Sequence, residues 1–168
     1  MAKASIQQEF VQLIAQQQKL IHSLCSLYYR MPEDRKDIFQ EIVLQLWKSY
    51  PSFNHQSKVT TWMYRVALNT VFARIRKEKA QPERVSFSEQ HLQILSSEPD
   101  DDLTLATQEL YWGISQLSDV DKAMIMLYLD EHSYEEMATI LAMSRTNVST
   151  KINRIKARLG KLLKKEPL

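Results

Sequence analysis

Apolar residues recur along most of this chain at steps of three and four, the spacing that lines one face of an α-helix. Ile6, Phe10, Leu13, Ile14, Leu20, Ile21, Leu24, Leu27 and Tyr28 predict one long amphipathic helix over residues 4–29, with a Gln-rich outer face. Pro32 interrupts it. The next helix is expected over residues 33–49, with Ile38, Ile42 and Leu46 on one face and Phe39, Val43 and Trp47 widening it. Its opposite side carries Asp37, Gln40, Glu41, Gln45 and Lys48, a mixture that suits either solvation or docking of a basic partner. Residues 51–57 (PSFNHQS) have turn chemistry and no periodicity, so they form a loop. A third helix is expected over residues 58–79. Val59, Trp62, Met63, Val66, Ala67 and Thr70 are its predicted core face, and Arg65, Asn69, Phe72, Arg76 and Lys79 lie on another side.

Residues 80–102 lose the pattern, contain Pro82 and Pro99, and turn acidic; they read as a flexible linker with Val85-Ser86-Phe87 as a possible extended anchor. Helical spacing resumes at Leu103, Ala106, Leu110, Ile114 and Leu117. Ser118 is placed to cap a following helix, with Asp119 and Asp121 in its first turn and Val120, Ala123, Met124, Leu127 and Tyr128 apolar. Ser133 with Glu136 forms a capping-box pattern before Tyr134, Met137, Ala138 and Leu141. Ala142-Met143 breaks the helix and Ser144 can cap the next, whose stripe is Val148, Ile152, Ile155, Leu159 and Leu162. Opposite that stripe stand Arg145, Asn147, Lys151, Arg154 and Arg158. A short helix, a tight turn and a longer helix with a basic, amide-bearing outer face suit helix-turn-helix DNA recognition.

Composition narrows the fold. Only Gly113 and Gly160 are glycines in 168 residues, too few for an all-β chain of many tight turns, so the class is all-α. Two small helical domains, residues 1–79 and 103–168, joined by the linker at 80–102, account for the pattern. The net charge is only +2, but it is unevenly placed. Residues 58–79 hold six basic side chains against Glu78, and residues 145–165 hold eight and no acid. Between them, residues 83–109 hold seven acids and only Arg84 as a base. Two basic segments around an acidic one suggest two polyanion contacts joined by a spacer, although any single charge run is more often a solvated helix face. One cysteine, Cys25, excludes an internal disulfide. With neither a leader nor a spanning stretch legible, a cytoplasmic protein without membrane insertion is expected.

Candidate chemistry is all of the binding kind. Phe53, Asn54 and His55 could stack on a base and hydrogen-bond its edge; alternatively, Phe53 is tucked under its own loop. Cations alternating with Asn69 and Phe72 on the third helix suit single-stranded nucleic acid, where rings stack and cations follow phosphate. Trp62 falls on the apolar stripe and is expected mainly in the core. His22 and Cys25, three apart, make a poor zinc site without a second pair, so no metal is expected. No HExxH pair, Gly-rich phosphate loop or zinc-deaminase pattern is present, so neither a catalytic residue, a cofactor nor a small-molecule substrate is expected.

Two stretches together resemble one family. DIFQEIVLQLW at residues 37–47 followed by TWMYRVALN at 61–69 is similar to region 2 of bacterial sigma factors, and residues 117–159, including SYEEMA at 133–138, are similar to their region 4. The layout without a region-3 domain resembles the extracytoplasmic-function (ECF) group of the sigma-70 family. The resemblance implies that Asp37, Gln40, Glu41 and Gln45 dock on the clamp helices of the core RNA polymerase β′ subunit. It implies that the loop carrying Phe53, Asn54, His55 and Lys58 captures a flipped base of the −10 element, and that Arg65, Asn69, Arg76 and Lys77 hold the melted non-template strand. Arg145, Thr146, Asn147, Thr150, Lys151, Arg154 and Arg158 correspond to the −35 recognition helix, and the helices before it to the surface holding the β-flap tip. The acidic linker would thread the RNA exit channel, and an anti-sigma factor is an implied partner. Two positions depart from the family pattern: Ala73 stands where an acid is usual, and Ala142 where the helix-turn-helix break usually has Gly. The competing reading is a stand-alone helix-turn-helix regulator whose N-terminal half dimerises or binds a ligand.

Overall fold

The structure, a computed structural model, describes residues 2–81 and 104–164. The chain divides into two compact units, Met1–Lys79 and Ala80–Leu168. In the first, α1 (Ala2–Tyr28), α2 (Pro32–Ser49) and α3 (Val59–Ala80) follow in order, with a 3-10 turn at Tyr50–Ser52 after α2. In the second, α4 (Leu105–Ser115), α5 (Asp119–Leu129), α6 (Tyr134–Leu141) and α7 (Arg145–Lys164) form a helical cluster. Among the described residues there is no strand. The expected linker, with its Val85-Ser86-Phe87 anchor, lies outside the described residues except for Ala80, the last residue of α3, and Gln81.

Helix α2 starts on Pro32, where a missing N–H and a preset φ cost nothing, and Glu33 and Asp34 face the positive end of its dipole. The predicted stripe Ile38, Ile42 and Leu46 is fully buried. It shares the core of this unit with Ile21, Leu24 and Cys25 of α1 and Met63, Ala67, Leu68 and Val71 of α3. Burial pushes the Cys25 thiol up to about 11, so it behaves as a small apolar side chain. His22 does not join it: the ring is exposed and stacks on Phe39 at 4.5 Å. The N-terminal half of α1 departs from expectation at Ile6, which is exposed although it shares the predicted stripe with the buried Phe10.

Helix α3 is turned relative to the predicted face. Thr61, Met63, Tyr64, Ala67, Leu68 and Val71 are buried, whereas Val59, Trp62, Val66 and Thr70 are only partly so. At 100° per residue this is a rotation of roughly a third of a turn. Large apolar residues occupy more than one side of α3, so periodicity alone left its orientation open.

In the second unit the caps fall where the sequence places them. Ser118 Oγ accepts from the Asp121 backbone N–H at 3.3 Å, Ser133 Oγ from Glu136 at 3.1 Å and Ser144 Oγ from Asn147 at 3.1 Å. Thr104 caps α4, which therefore starts at Leu105. The Glu136 carboxylate lies 2.9 Å from His132 Nδ1, anchoring the entry to α6. Met124, Leu127, Met137, Val148 and Ile152 are fully buried, with Ile114, Ile140, Ile155 and Leu159 beside them. Ala106, expected on the α4 stripe, is exposed, and Leu162 is only partly covered. A Cβ at Gly113 would lie 3.2 Å from Leu159 Cδ2, so this glycine lets α4 approach α7 closely.

Ala142 occupies the left-handed region at φ 54° and ψ 48°, and both its N–H and that of Met143 donate to the Ala138 carbonyl. An L-residue pays about 1–2 kcal/mol for that conformation. Ala142→Gly is accordingly expected to stabilise the second unit by on the order of 0.5–1 kcal/mol, after the added chain entropy of Gly is subtracted. Thermal melting followed by circular dichroism should show a midpoint raised by about 2–6 °C; an unchanged or lower midpoint contradicts the strain.

Candidate nucleic-acid interface

Three surfaces carry the candidate residues. On α2, Asp37, Gln40, Glu41 and Gln45 are all exposed, because the buried stripe Ile38–Ile42–Leu46 turns them outward. Glu41 is not an independent acid. Its Oε1 lies 3.9 Å from Arg74 Nη1, while Arg74 Nε reaches Glu78 Oε1 at 3.1 Å. The guanidinium sits over the Tyr29 ring at 5.3 Å, and Tyr29 donates its hydroxyl to Glu78 at 3.5 Å. Burial, then the neighbouring Glu78 charge, drives the Tyr29 phenol upward. Burial works against the charged guanidinium, but Glu41 and the other partners outweigh it and raise the Arg74 pKa further.

Beside these residues runs an open apolar groove of about 460 Å³ between α1 and α2. Phe10 and Val11 line it from one side, Phe39, Val43, Leu44 and Trp47 from the other, with Gln7 and Gln40 as its polar members. The apolar pattern places Phe39, Val43 and Trp47 where they widen the Ile38–Ile42–Leu46 face. In the structure Trp47 and Leu44 are exposed, at 39% and 49%, and face outward. The signal was present: α2 has more apolar residues around its circumference than one buried stripe requires.

The second surface is the loop into α3 and the face that follows it. The Phe53 backbone N–H donates to the Tyr50 carbonyl at 3.1 Å, and Asn54 Oδ1 accepts from Gln56 N–H at 3.3 Å. His55 holds a left-handed φ of 60°. Phe53 does not stand free: its half-buried ring stacks on Trp62 at 4.9 Å and 29°, and the His55 ring lies 4.6 Å from it, tilted by 58°. Asn54, His55 and Lys58 are exposed. Along α3, Arg65, Asn69 and Arg76 share one exposed face and Lys77 lies one step beside it. Phe72, expected with them, is partly buried in a T-shaped contact with Tyr28 at 6.1 Å. The exposed Ala73 leaves this face without the acid that the family resemblance leads one to expect.

The third surface is α7. Arg145, Thr146, Asn147, Thr150, Arg154 and Arg158 are exposed and Lys151 partly so. Not all point outward unencumbered. Arg145 Nε pairs with Glu135 at 3.2 Å, and Arg158 Nη2 donates to the Gln116 carbonyl at 3.3 Å, closing the end of α4. Lys156 Nζ lies 4.1 Å over the Tyr128 ring, so this cation ties α7 to α5. What remains presented is the stretch from Thr146 to Arg154, about 12 Å long at 1.5 Å per residue. A helix about 10–12 Å across with its side chains fits a major groove roughly 12 Å wide.

These surfaces coincide with known protein segments. Residues 13–81 match the family described as Sigma-70 region 2, and residues 108–159 match Sigma-70, region 4. The chain is 28% identical to the ECF RNA polymerase sigma factor SigW of Bacillus subtilis, covering 96% of this chain and 92% of that one. It is 24% identical to the ECF sigma factor SigM of Mycobacterium tuberculosis, over 92% of this chain and 76% of that protein. In fold it is similar to the sigma factor RpoE solved in complex with the anti-sigma factor NepR from Bartonella quintana, with a TM-score of 0.72 and 18% identity over 95% of this chain and 99% of that one. It is likewise similar to CnrH, solved with the cytosolic domain of CnrY, with a TM-score of 0.69 and 18% identity over 96% and 91% of the two chains. The chain belongs to the sigma-70 family of RNA polymerase sigma factors, in its ECF group.

Proposed function

We propose that this chain is an alternative sigma factor that binds core RNA polymerase and directs it to promoters through a duplex −35 contact and a single-stranded −10 contact. The observation that carries this is the pairing, in one chain and in this order, of a region 2 unit with a cationic, amide-bearing α3 face and a region 4 helix-turn-helix. It supplies sequence specificity to the polymerase and performs no chemistry of its own, acting where the polymerase is, in the cytoplasm.

The proposed roles follow the three surfaces. Asp37, Gln40, Glu41 and Gln45 meet the β′ clamp helices, and the adjoining apolar groove, which shares Gln40 with that set, extends the same contact. Asn54 and His55, supported by Phe53, read the captured base, while Lys58, Arg65, Asn69, Arg76 and Lys77 follow the non-template strand. On α7, Asn147, Thr146, Thr150, Lys151 and Arg154 address the −35 groove; Arg145 and Arg158, each engaged within the protein, contribute from its ends. Phosphate contacts supply affinity and salt dependence, and base-edge contacts supply selectivity. An anti-sigma factor is the expected regulator.

Run-off transcription with purified core polymerase tests the proposal. Stimulation at a selected promoter supports it; no stimulation at any promoter, together with a stable dimer on an inverted repeat, identifies a stand-alone regulator instead. Within the proposal, Arg154→Ala is expected to weaken −35-dependent binding by about 1–3 kcal/mol, with relaxed preference at one base pair. Titration against duplexes substituted at each −35 position checks this, because an equal loss on every sequence marks Arg154 as a phosphate contact.

A further inference from the structure

The base-capturing loop of the proposed function is held at its start by short local bonds. Besides the Phe53 N–H bond to Tyr50 and the Gln56 N–H bond to Asn54 Oδ1, Ser52 Oγ donates to the Ser49 carbonyl at 2.7 Å. His55 holds a left-handed conformation that an L-residue keeps only where its surroundings fix it. Side-chain packing supplies that constraint. The Tyr50 ring lies 5.3 Å from Phe10 of α1 and 6.2 Å from Trp62 of α3, while the Tyr50 carbonyl takes the Phe53 N–H. Trp62 in turn carries Phe53, and Phe53 carries His55. All of these centroid separations lie within the range of favourable aromatic pairs.

Tyr50 thus touches rings of both α1 and α3 and also holds the start of the loop through its backbone carbonyl. It is half-buried rather than central to the core, whose fully buried members include Ile21, Leu24, Ile38, Ile42, Leu46 and Met63. We propose that Tyr50 is a positioning residue for base capture, fixing the Phe53–Trp62 stack and with it the orientation of Asn54 and His55. The inference rests on the sigma reading and adds to it a residue that makes no contact with DNA. Its chemistry requires an aromatic ring and not a phenol hydroxyl.

The experiment compares holoenzymes carrying the wild type, Tyr50→Phe and Tyr50→Leu. The ligand is a fluorescein-labelled single strand bearing the −10 sequence that the wild-type holoenzyme selects from a random library, together with strands substituted at each base. Tyr50→Phe should bind as the wild type does. Tyr50→Leu should bind the selected strand about 10-fold more weakly, the scale of one lost base stack, and its preference over the substituted strands should fall by a similar factor. Affinity for core polymerase and for −35 duplex should be unchanged. Tyr50→Met, which fills the space without a planar ring, serves the same purpose if the leucine variant does not fold. Retained base discrimination in the leucine or methionine variant would overturn the proposal, as would a loss of core binding in proportion to strand binding. A wild-type holoenzyme that transcribes from no promoter and selects no strand would overturn the sigma reading itself, a distinct result.

Discussion

The double replacement Asp37→Lys and Glu41→Lys is expected to abolish binding to core polymerase. Both side chains are exposed on α2, both charges are reversed, and placing like charges across an interface costs several kcal/mol on top of the lost attraction. Fluorescence anisotropy of the labelled protein titrated with core enzyme reads the outcome directly, and unchanged affinity would refute the docking role. The Glu41–Arg74 contact decides which controls are needed. Lys at position 41 would stand beside the Arg74 guanidinium, so part of any loss could come from repulsion inside the protein. Glu41 is 53% exposed and the pair is 3.9 Å apart, which limits its worth to about 0–1 kcal/mol. Arg74 also retains Glu78. The single change Asp37→Lys, which leaves the Glu41–Arg74 pair in place, and separately Glu41→Gln, which adds no charge beside Arg74, should each lower core affinity while leaving the melting temperature within a few degrees of wild type.

Ile152→Ala is expected to have the largest effect on stability. Its side chain is fully buried on α7, amid the core of the second unit. Truncating a buried Ile typically removes about 2–5 kcal/mol through lost transfer energy and the cavity left behind. A helical unit of this size has only about 3–9 kcal/mol in total at 0.05–0.15 kcal/mol per residue. Urea unfolding of the transition belonging to the second unit should show the loss, and binding to −35 duplex should weaken with it. Asn153→Ala, on the exposed side of the same turn, is the matched control and should stay within about 0.5 kcal/mol. Equal effects at the two positions would mean that α7 is not packed as described.

Much of this architecture was legible because local chemistry and long-range packing agree. Ser118, Ser133 and Ser144 cap helices because their hydroxyls reach N–H groups three residues on, a relation that needs no tertiary information. The α7 stripe Val148–Ile152–Ile155–Leu159 was equally plain, since between Arg145 and Arg158 every other residue but Ala157 is basic or polar. Orientation failed where apolar residues surround a helix. On α3, Tyr64, Leu68 and Val71 took the core and left Trp62 half out, as the support for Phe53. On α2, the surplus of Val43, Leu44 and Trp47 became an outward groove. The candidate residues were legible as types, but not their internal engagements. That Arg158 closes α4 at Gln116, or that Glu41 shares Arg74, depends on pairings far apart in sequence that no periodicity encodes.

Ala142 bears on how this protein could be re-engineered. Substitutions on a recognition helix that change its DNA preference tend to erode stability, and natural proteins sit close to the threshold below which that erosion becomes loss of fold. The strained turn before α7 is a reserve within reach of a single substitution. Libraries randomised at Asn147, Lys151 and Arg154 should therefore yield more folded, promoter-switched members when they are built on the glycine background than on the native sequence.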